Sequence, residues 1–156
     1  MDAVTYPNTG TIKFINENMI PLRLSFDAKP WSSEFNIQWT PAIIILDQEG
    51  NEHHRTVGFL SPEELIPSLI LGIGKVYFNT GNLDKATQHF EMLADYPNSN
   101  STPEAIFWRG VSKFKSTHDP IALKETYQYL EAKYPSSEWA KRAYPYRLLE
   151  TLHKVA

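Results

Sequence analysis

Two stretches in the second half of the chain repeat each other at a nearly constant offset, and this limits the fold more than any other feature. Gly74 and Gly110 stand 36 residues apart (110 − 74), as do Ala86 and Ala122 (122 − 86). Phe90 then meets Tyr127 and Leu93 meets Leu130 at 37, and Pro97 meets Pro135 at 38. A period of roughly 20–50 residues marks an array in which each supersecondary unit buries its apolar face on the next. The spacing has a physical reason. Gly74 and Ala86 are small where two antiparallel helices approach, and Tyr77 and Phe90 fill the groove between them. Asn79–Asn82 makes the turn, with Gly81 able to take positive φ, and Pro97 closes the second helix. A further helix is predicted from Ser137 to about Leu152, despite Pro145 inside it, because Trp139, Ala143, Tyr146 and Leu149 recur at helical spacing. The same residues also suit the core of a small helical bundle without repeat ancestry.

The unit LILGIGKVYFNTGNLDKATQHFEMLADYP resembles the tetratricopeptide repeat at Gly74, Tyr77, Gly81, Ala86, Phe90 and Pro97. In the second unit Gly110 and Ala122 fit, but Lys113 stands where an aromatic is expected, with Phe114 beside it. The resemblance implies a helical surface that binds a peptide or protein, with no chemistry in the repeat itself.

Before Ser61 the pattern differs. Thr11–Asn18 reads as the end of an amphipathic helix. In Met19–Phe26 the residues Ile20, Leu22, Leu24 and Phe26 alternate with Pro21, Arg23 and Ser25, and period two predicts a strand. Asp27–Ser33 is a loop, and Ser33 is placed to cap a helical turn through Gln38. Ala42–Leu46 is a continuous β-branched run that suits a strand buried on both faces. Asp47–Asn51 predicts a hairpin turn and His54–Phe59 the returning strand. Ser61, Pro62, Glu63 and Glu64 open a helix with a cap, a proline at its first position and acids in its first turn. Nothing stops that helix before Thr80-Gly81, so it runs from one half into the other, kinked at Pro67.

The order strand, helical loop, Trp39-Thr40-Pro41, strand, turn DQEGN, strand with Val57-Gly58-Phe59, and helix resembles the C-terminal two-thirds of a thioredoxin-like domain, over about residues 1–72. The opening residues resemble the stretch that follows the Cys-x-x-Cys motif in a bacterial branch of that family. On frequency alone Pro41 would be trans, since cis bonds are only ~5–6% of X-Pro bonds; the resemblance implies cis. It also implies that Trp39, Thr40 and Pro41 form the partner-binding surface, the Thr40 backbone pairing with an extended chain. The chain has no cysteine, so the two thiols of the motif are absent. The strand that precedes the motif in the family is also missing, and its place lies between the two strands at Met19–Phe26 and Ala42–Leu46. These two should then pair with each other or keep unpaired edges. Met1 sits where a methionine often follows the motif, which implies a truncated or mis-started frame.

The expected architecture is therefore α/β plus all-α: a partial thioredoxin-like sheet with helices over residues 1–68, joined to an antiparallel helical-hairpin, tetratricopeptide-like bundle over residues 69–156. Lys and Arg total 15 against 18 Asp and Glu, which speaks against a nucleic-acid partner. No apolar run approaches the ~20 residues of a spanning helix, and MDAVTYPNTG is not a signal peptide. The chain as written is expected in the cytoplasm, or exported if its start is incomplete. No cofactor or metal is expected. Adjacent His53 and His54 point to opposite faces of a strand and read as a solvated strand end. Gly72-Ile73-Gly74-Lys75 lies mid-helix, not in a phosphate loop. The expected function is non-catalytic binding of a protein or peptide. The alternative is a thiol–disulfide oxidoreductase whose motif lies upstream. A homodimer through the exposed sheet edge is a third possibility.

Overall fold

The computed structural model describes residues 1–149. Their order is α1 (Thr9–Asn18), α2 (Trp31–Glu34), β1 (Ala42–Leu46), β2 (Glu52–Val57), α3 (Pro62–Asn79), α4 (Leu83–Met92), α5 (Thr102–Thr117), α6 (Ile121–Lys133) and α7 (Glu138–Ala143). A small antiparallel sheet packs on one side of α3, and the later helices pack on the other.

Two glycines in α3 make that double contact possible. Residues two apart on a helix are rotated by about 200°, so Gly72 and Gly74 face opposite ways. A Cβ at Gly72 would sit 2.7 Å from Ile45 Cγ1 of β1 and 3.1 Å from His54 Cδ2 of β2. A Cβ at Gly74 would sit 2.5 Å from Phe90 Cε1 of α4. Between them α3 buries Leu65, Leu69, Ile70 and Leu71, each contributing about 1.5–3 kcal/mol on leaving water. Pro67 is buried inside the helix without ending it.

The connections after α3 are too short to do anything but reverse the chain. Gly81, at φ +86°, makes the turn, and Asn82 Oδ1 accepts from the Lys85 amide at 3.2 Å to start α4. Thr80 to Asn82 thus sets α4 against α3. Ala86, Phe90 and Leu93 of this unit join Ile70, Leu71 and Ala105 in one core cluster. The α4 helix stops at Met92 and tightens into a 3-10 turn over Leu93–Asp95, before Pro97. The Glu64 carboxylate reaches across from α3 to the loop before α5, accepting from Ser99 Oγ at 2.8 Å and from the Asn100 amide at 3.2 Å. A second cluster joins Ile106 of α5, Leu130 of α6 and Ala140 and Ala143 of α7.

Several expectations change here. Met19–Phe26 is not a strand. It leaves α1 in extended conformation at Met19 and runs to Ser25 without turn or bend. Among the described residues it has no ladder partner, and Ile20 is 98% and Leu22 77% exposed. Alternation produces a strand only when a neighbour supplies the hydrogen bonds, and here neither β1 nor any other described element does. The β1 run is not buried on both faces: α3 covers one face, and Leu46 is exposed. The helix read at Thr11–Asn18 as a helix end is complete, since Asn8 Oδ1 caps it by accepting from the Thr11 amide at 3.1 Å. The short helix expected after Ser33 instead spans Trp31–Glu34.

In the second unit Thr126, not Tyr127, sits over Gly110. A Cβ at Gly110 would clash with Thr126 Oγ1, and the offset from Phe90 to Thr126 stays 36 (126 − 90), without drift. Ala122 is only half-buried, while Leu123 is buried, unlike fully buried Ala86. A smaller residue over Gly110 draws α6 in differently, and Tyr127 turns to pack against Tyr144, 6.1 Å between ring centroids. The final predicted helix ends as an α-helix at Ala143. Tyr144–Leu148 is a 3-10 turn, because Pro145 cannot donate to the preceding turn. The remainder of that prediction, to Leu152, lies outside the described residues.

Candidate functional site

The loop from Trp31 to Pro41 carries the predicted partner-binding residues, and the sequence folds it by local hydrogen bonds. The Ile37 amide donates to the Ser32 carbonyl at 2.9 Å and the Asn36 amide to the Ser33 carbonyl at 3.1 Å, closing the turn after α2. Asn36 takes positive φ (47°), which asparagine tolerates better than most residues. Its Oδ1 accepts from Gln38 Nε2 at 2.7 Å. Trp31 stacks on Phe35, 6.4 Å between centroids.

Arg55 of β2 ties this loop to the sheet. Glu52 receives its guanidinium through two bonds, Nε to Oε1 at 2.8 Å and Nη2 to Oε2 at 2.6 Å. Nη2 also donates to the Phe35 carbonyl at 2.7 Å. The pairing holds the Glu52 carboxyl below its ordinary pKa and raises that of Arg55, so both stay charged at neutral pH. The pairing of Arg55 with Glu52 escaped the sequence reading. Its only signal was one acid and one base within a polar strand, which fits any surface pair equally well.

The tip of the loop is open. Trp39 is 71% and Phe26 70% exposed, and Thr40 is exposed beside them. Phe26, Ile37, Gln38, Trp39 and Thr40 line a shallow groove of about 180 Å³. The Thr40-Pro41 peptide bond is cis, as is Lys29-Pro30. The Pro41 carbonyl accepts from the Gly58 amide at 2.8 Å, which fixes the start of the β1–β2 ladder. Among the described residues no backbone group bonds to the main chain of Trp39 or Thr40. Trp39, Thr40 and Pro41 are thus placed together, and Phe26 joins them from a segment the sequence reading assigned to a strand.

The residues that suggested a repeat lie elsewhere and are structural. Gly74, Ala86 and Phe90 are in the core, and Gly81 and Pro97 are at the turns. Tyr77 packs against the first cluster and lies 5.0 Å from the His89 ring. Gly110 and Ala122 belong to the α5–α6 contact. A row of rings, Phe78, Trp108, Phe107 and Tyr146, links the two core clusters at centroid distances of 5.1, 5.6 and 5.8 Å. The aromatic excess of the helical half is therefore largely internal packing.

The histidine pair is not a solvated strand end. His53 Nε2 meets Asp47 Oδ2 at 2.8 Å and its Nδ1 meets Asn79 Nδ2 at 2.9 Å. The amide nitrogen of Asn79 can only donate, so Nδ1 accepts and Nε2 carries the hydrogen that it donates to Asp47. Donation from His53, with further donors on Asn51 and Glu49, holds the Asp47 carboxyl well below its ordinary range. His54, on the opposite face, meets Ser68 Oγ at 3.0 Å and Lys75 Nζ at 3.3 Å. Lys75 also pairs with Glu104 of α5, which accepts from Trp108 Nε1 at 3.2 Å. The ammonium can only donate, so Nδ1 of His54 accepts and Nε2 carries the hydrogen. Burial, and then the charge of Lys75, push the His54 pKa down from 6.5 to about 4. Although a serine lies beside this neutral imidazole, Ser68 is buried in α3 and no substrate reaches it. The chain of groups joins β2, α3 and α5 as a structural network.

Among the described residues, no three His, Asp or Glu side chains are grouped to hold a metal ion. Nor is any helix among them long and apolar enough to cross a membrane. Comparison with curated proteins and with solved structures finds no match. Residues 5–72, which carry α1, the Trp39–Pro41 corner, the sheet and the first part of α3, match the family model of a thioredoxin-like domain.

Proposed function

We propose that this chain is a non-catalytic protein-binding module, in which a cysteine-free thioredoxin-like half and a half built of tetratricopeptide-like helical hairpins share α3. It takes an extended peptide at Trp39, Thr40 and Pro41. The observation that carries this reading is the exposed Trp39 ring beside the Thr40 main chain, whose polar groups have no backbone partner among the described residues. An extended peptide satisfies such groups by adding a strand, while the ring supplies an apolar anchor.

Two measurements test it. Peptides selected from a random display library on the full chain should lose at least ~10-fold in affinity on Trp39→Ala, a loss of about 1.4 kcal/mol. The chain should also give no turnover in an insulin-disulfide reduction assay. Affinity indifferent to Trp39, or measurable turnover, overturns the reading.

A second reading takes the chain as the cysteine-free part of a longer thiol–disulfide oxidoreductase. The family match over residues 5–72 supports it. A Cys-x-x-Cys pair encoded in frame shortly upstream of Met1 is its expected outcome, and a stop codon there removes it.

A further inference from the structure

Among the described residues, two extended segments have a side without a strand neighbour. The first is β1, along its outer edge. Pro41 accepts from Gly58, and the register pairs Ile43 with Thr56 and Ile45 with His54. In an antiparallel ladder alternate residues bond to the same neighbour. Pro41, Ile43 and Ile45 therefore bond toward β2, and the amides and carbonyls of Ala42 and Ile44 face outward. Among the described residues β1 has no second neighbour.

The second is the run from Ile20 to Phe26. It has the alternation of a strand, and all four of its apolar side chains are exposed. Pro21 lacks an N–H, so the run can form a full ladder only on the side of Ile20, Leu22 and Leu24. That side is the one a single neighbouring strand would use.

We propose that a second copy of this chain completes the sheet: the Ile20–Phe26 run of each copy pairs with the outer edge of β1 in the other, about a two-fold axis. Each β1 then lies between its own β2 and the run of the partner copy, and each run has that one neighbour. Each missing partner is supplied by the same interface, so the assembly closes as a dimer instead of growing. The amounts suit this occupant. Covering Ile20, Leu22, Leu24 and Phe26 removes on the order of 500 Å² per copy, which reaches the total of about 1,000 Å² that a specific interface needs. An exposed apolar row of this size is unusual on a monomer surface.

Sedimentation equilibrium on the full chain tests the proposal. The expected result is a species of twice 17.9 kDa at micromolar concentration. Leu22→Lys, at an exposed site, should convert it to the single-chain mass with the helical far-UV circular dichroism signal retained. Ile44→Pro removes an outward-facing amide and should do the same. A wild-type monomer overturns the proposal, as does a dimer that survives Leu22→Lys or a series of species larger than a dimer. Peptide affinity measured on the Leu22→Lys monomer reads the Trp39 corner separately, so failure of one reading is distinguishable from failure of the other.

Discussion

At the scale of single residues, close approach depends on absent side chains. Gly74 is packed under the ring of Phe90 with no room for a methyl group. Gly74→Ala should lower stability by about 1–3 kcal/mol through overpacking. Gly74→Ala combined with Phe90→Leu should lose less than the sum of the two single changes, because the ring is what the methyl meets. Chemical denaturation of the four proteins checks this, and strict additivity would show that the two residues do not share the contact. Gly74 was legible in the sequence because the 36-residue offset drew attention to it and the helical-hairpin reading set it against a second helix. Gly72 carries the same demand toward Ile45 and His54, but it has no counterpart in the second unit and gave no signal. Arg55 was hidden for another reason: its partner, the Phe35 carbonyl, is a main-chain group that no residue identity encodes.

Secondary-structure elements were legible where their bonds are local. Helix hydrogen bonds close within four residues, so the cap, proline and acids at Ser61–Glu64 were enough to place the start of α3, while the 36-residue offset pointed to the helices around Ala86, Gly110 and Ala122. The β1–β2 hairpin was legible because its turn is local too. Met19–Phe26 has the same quality of pattern and failed, since a strand is defined by a neighbour. The contact between β2, α3 and α5 also appears only in three dimensions, and it makes the junction pH-sensitive. His54 has a pKa of about 4 in the folded chain against 6.5 ordinarily. Above pH 6.5 both folded and unfolded states are neutral there, and its environment adds no pH dependence. As pH falls from 6.5 towards 4, the unfolded state takes up the proton first and stability falls, by at most about 3 kcal/mol. Urea midpoints at pH 7 and pH 4.5 should differ more for the wild type than for His54→Gln. Equal differences would show that other groups carry the effect.

At the scale of the whole molecule, α3 buries one side against the sheet and the other against α4 and α5. Neither half keeps its core if this helix melts. Thermal unfolding should therefore be a single transition, with the same midpoint by tryptophan fluorescence and by far-UV circular dichroism; two separated midpoints would show independent halves. The amino-acid sequence by itself determined the helical hairpins, the β-hairpin, the lack of any cysteine in these 156 residues and the shared helix, because each follows from residue types. Tertiary structure alone decided that Met19–Phe26 pairs with no other described residue of its own chain, that Thr126 sits over Gly110, that Phe26 joins Trp39, and that the two histidines enter separate networks. Each of these depends on which distant groups come within bonding reach, and neither periodicity nor propensity records that.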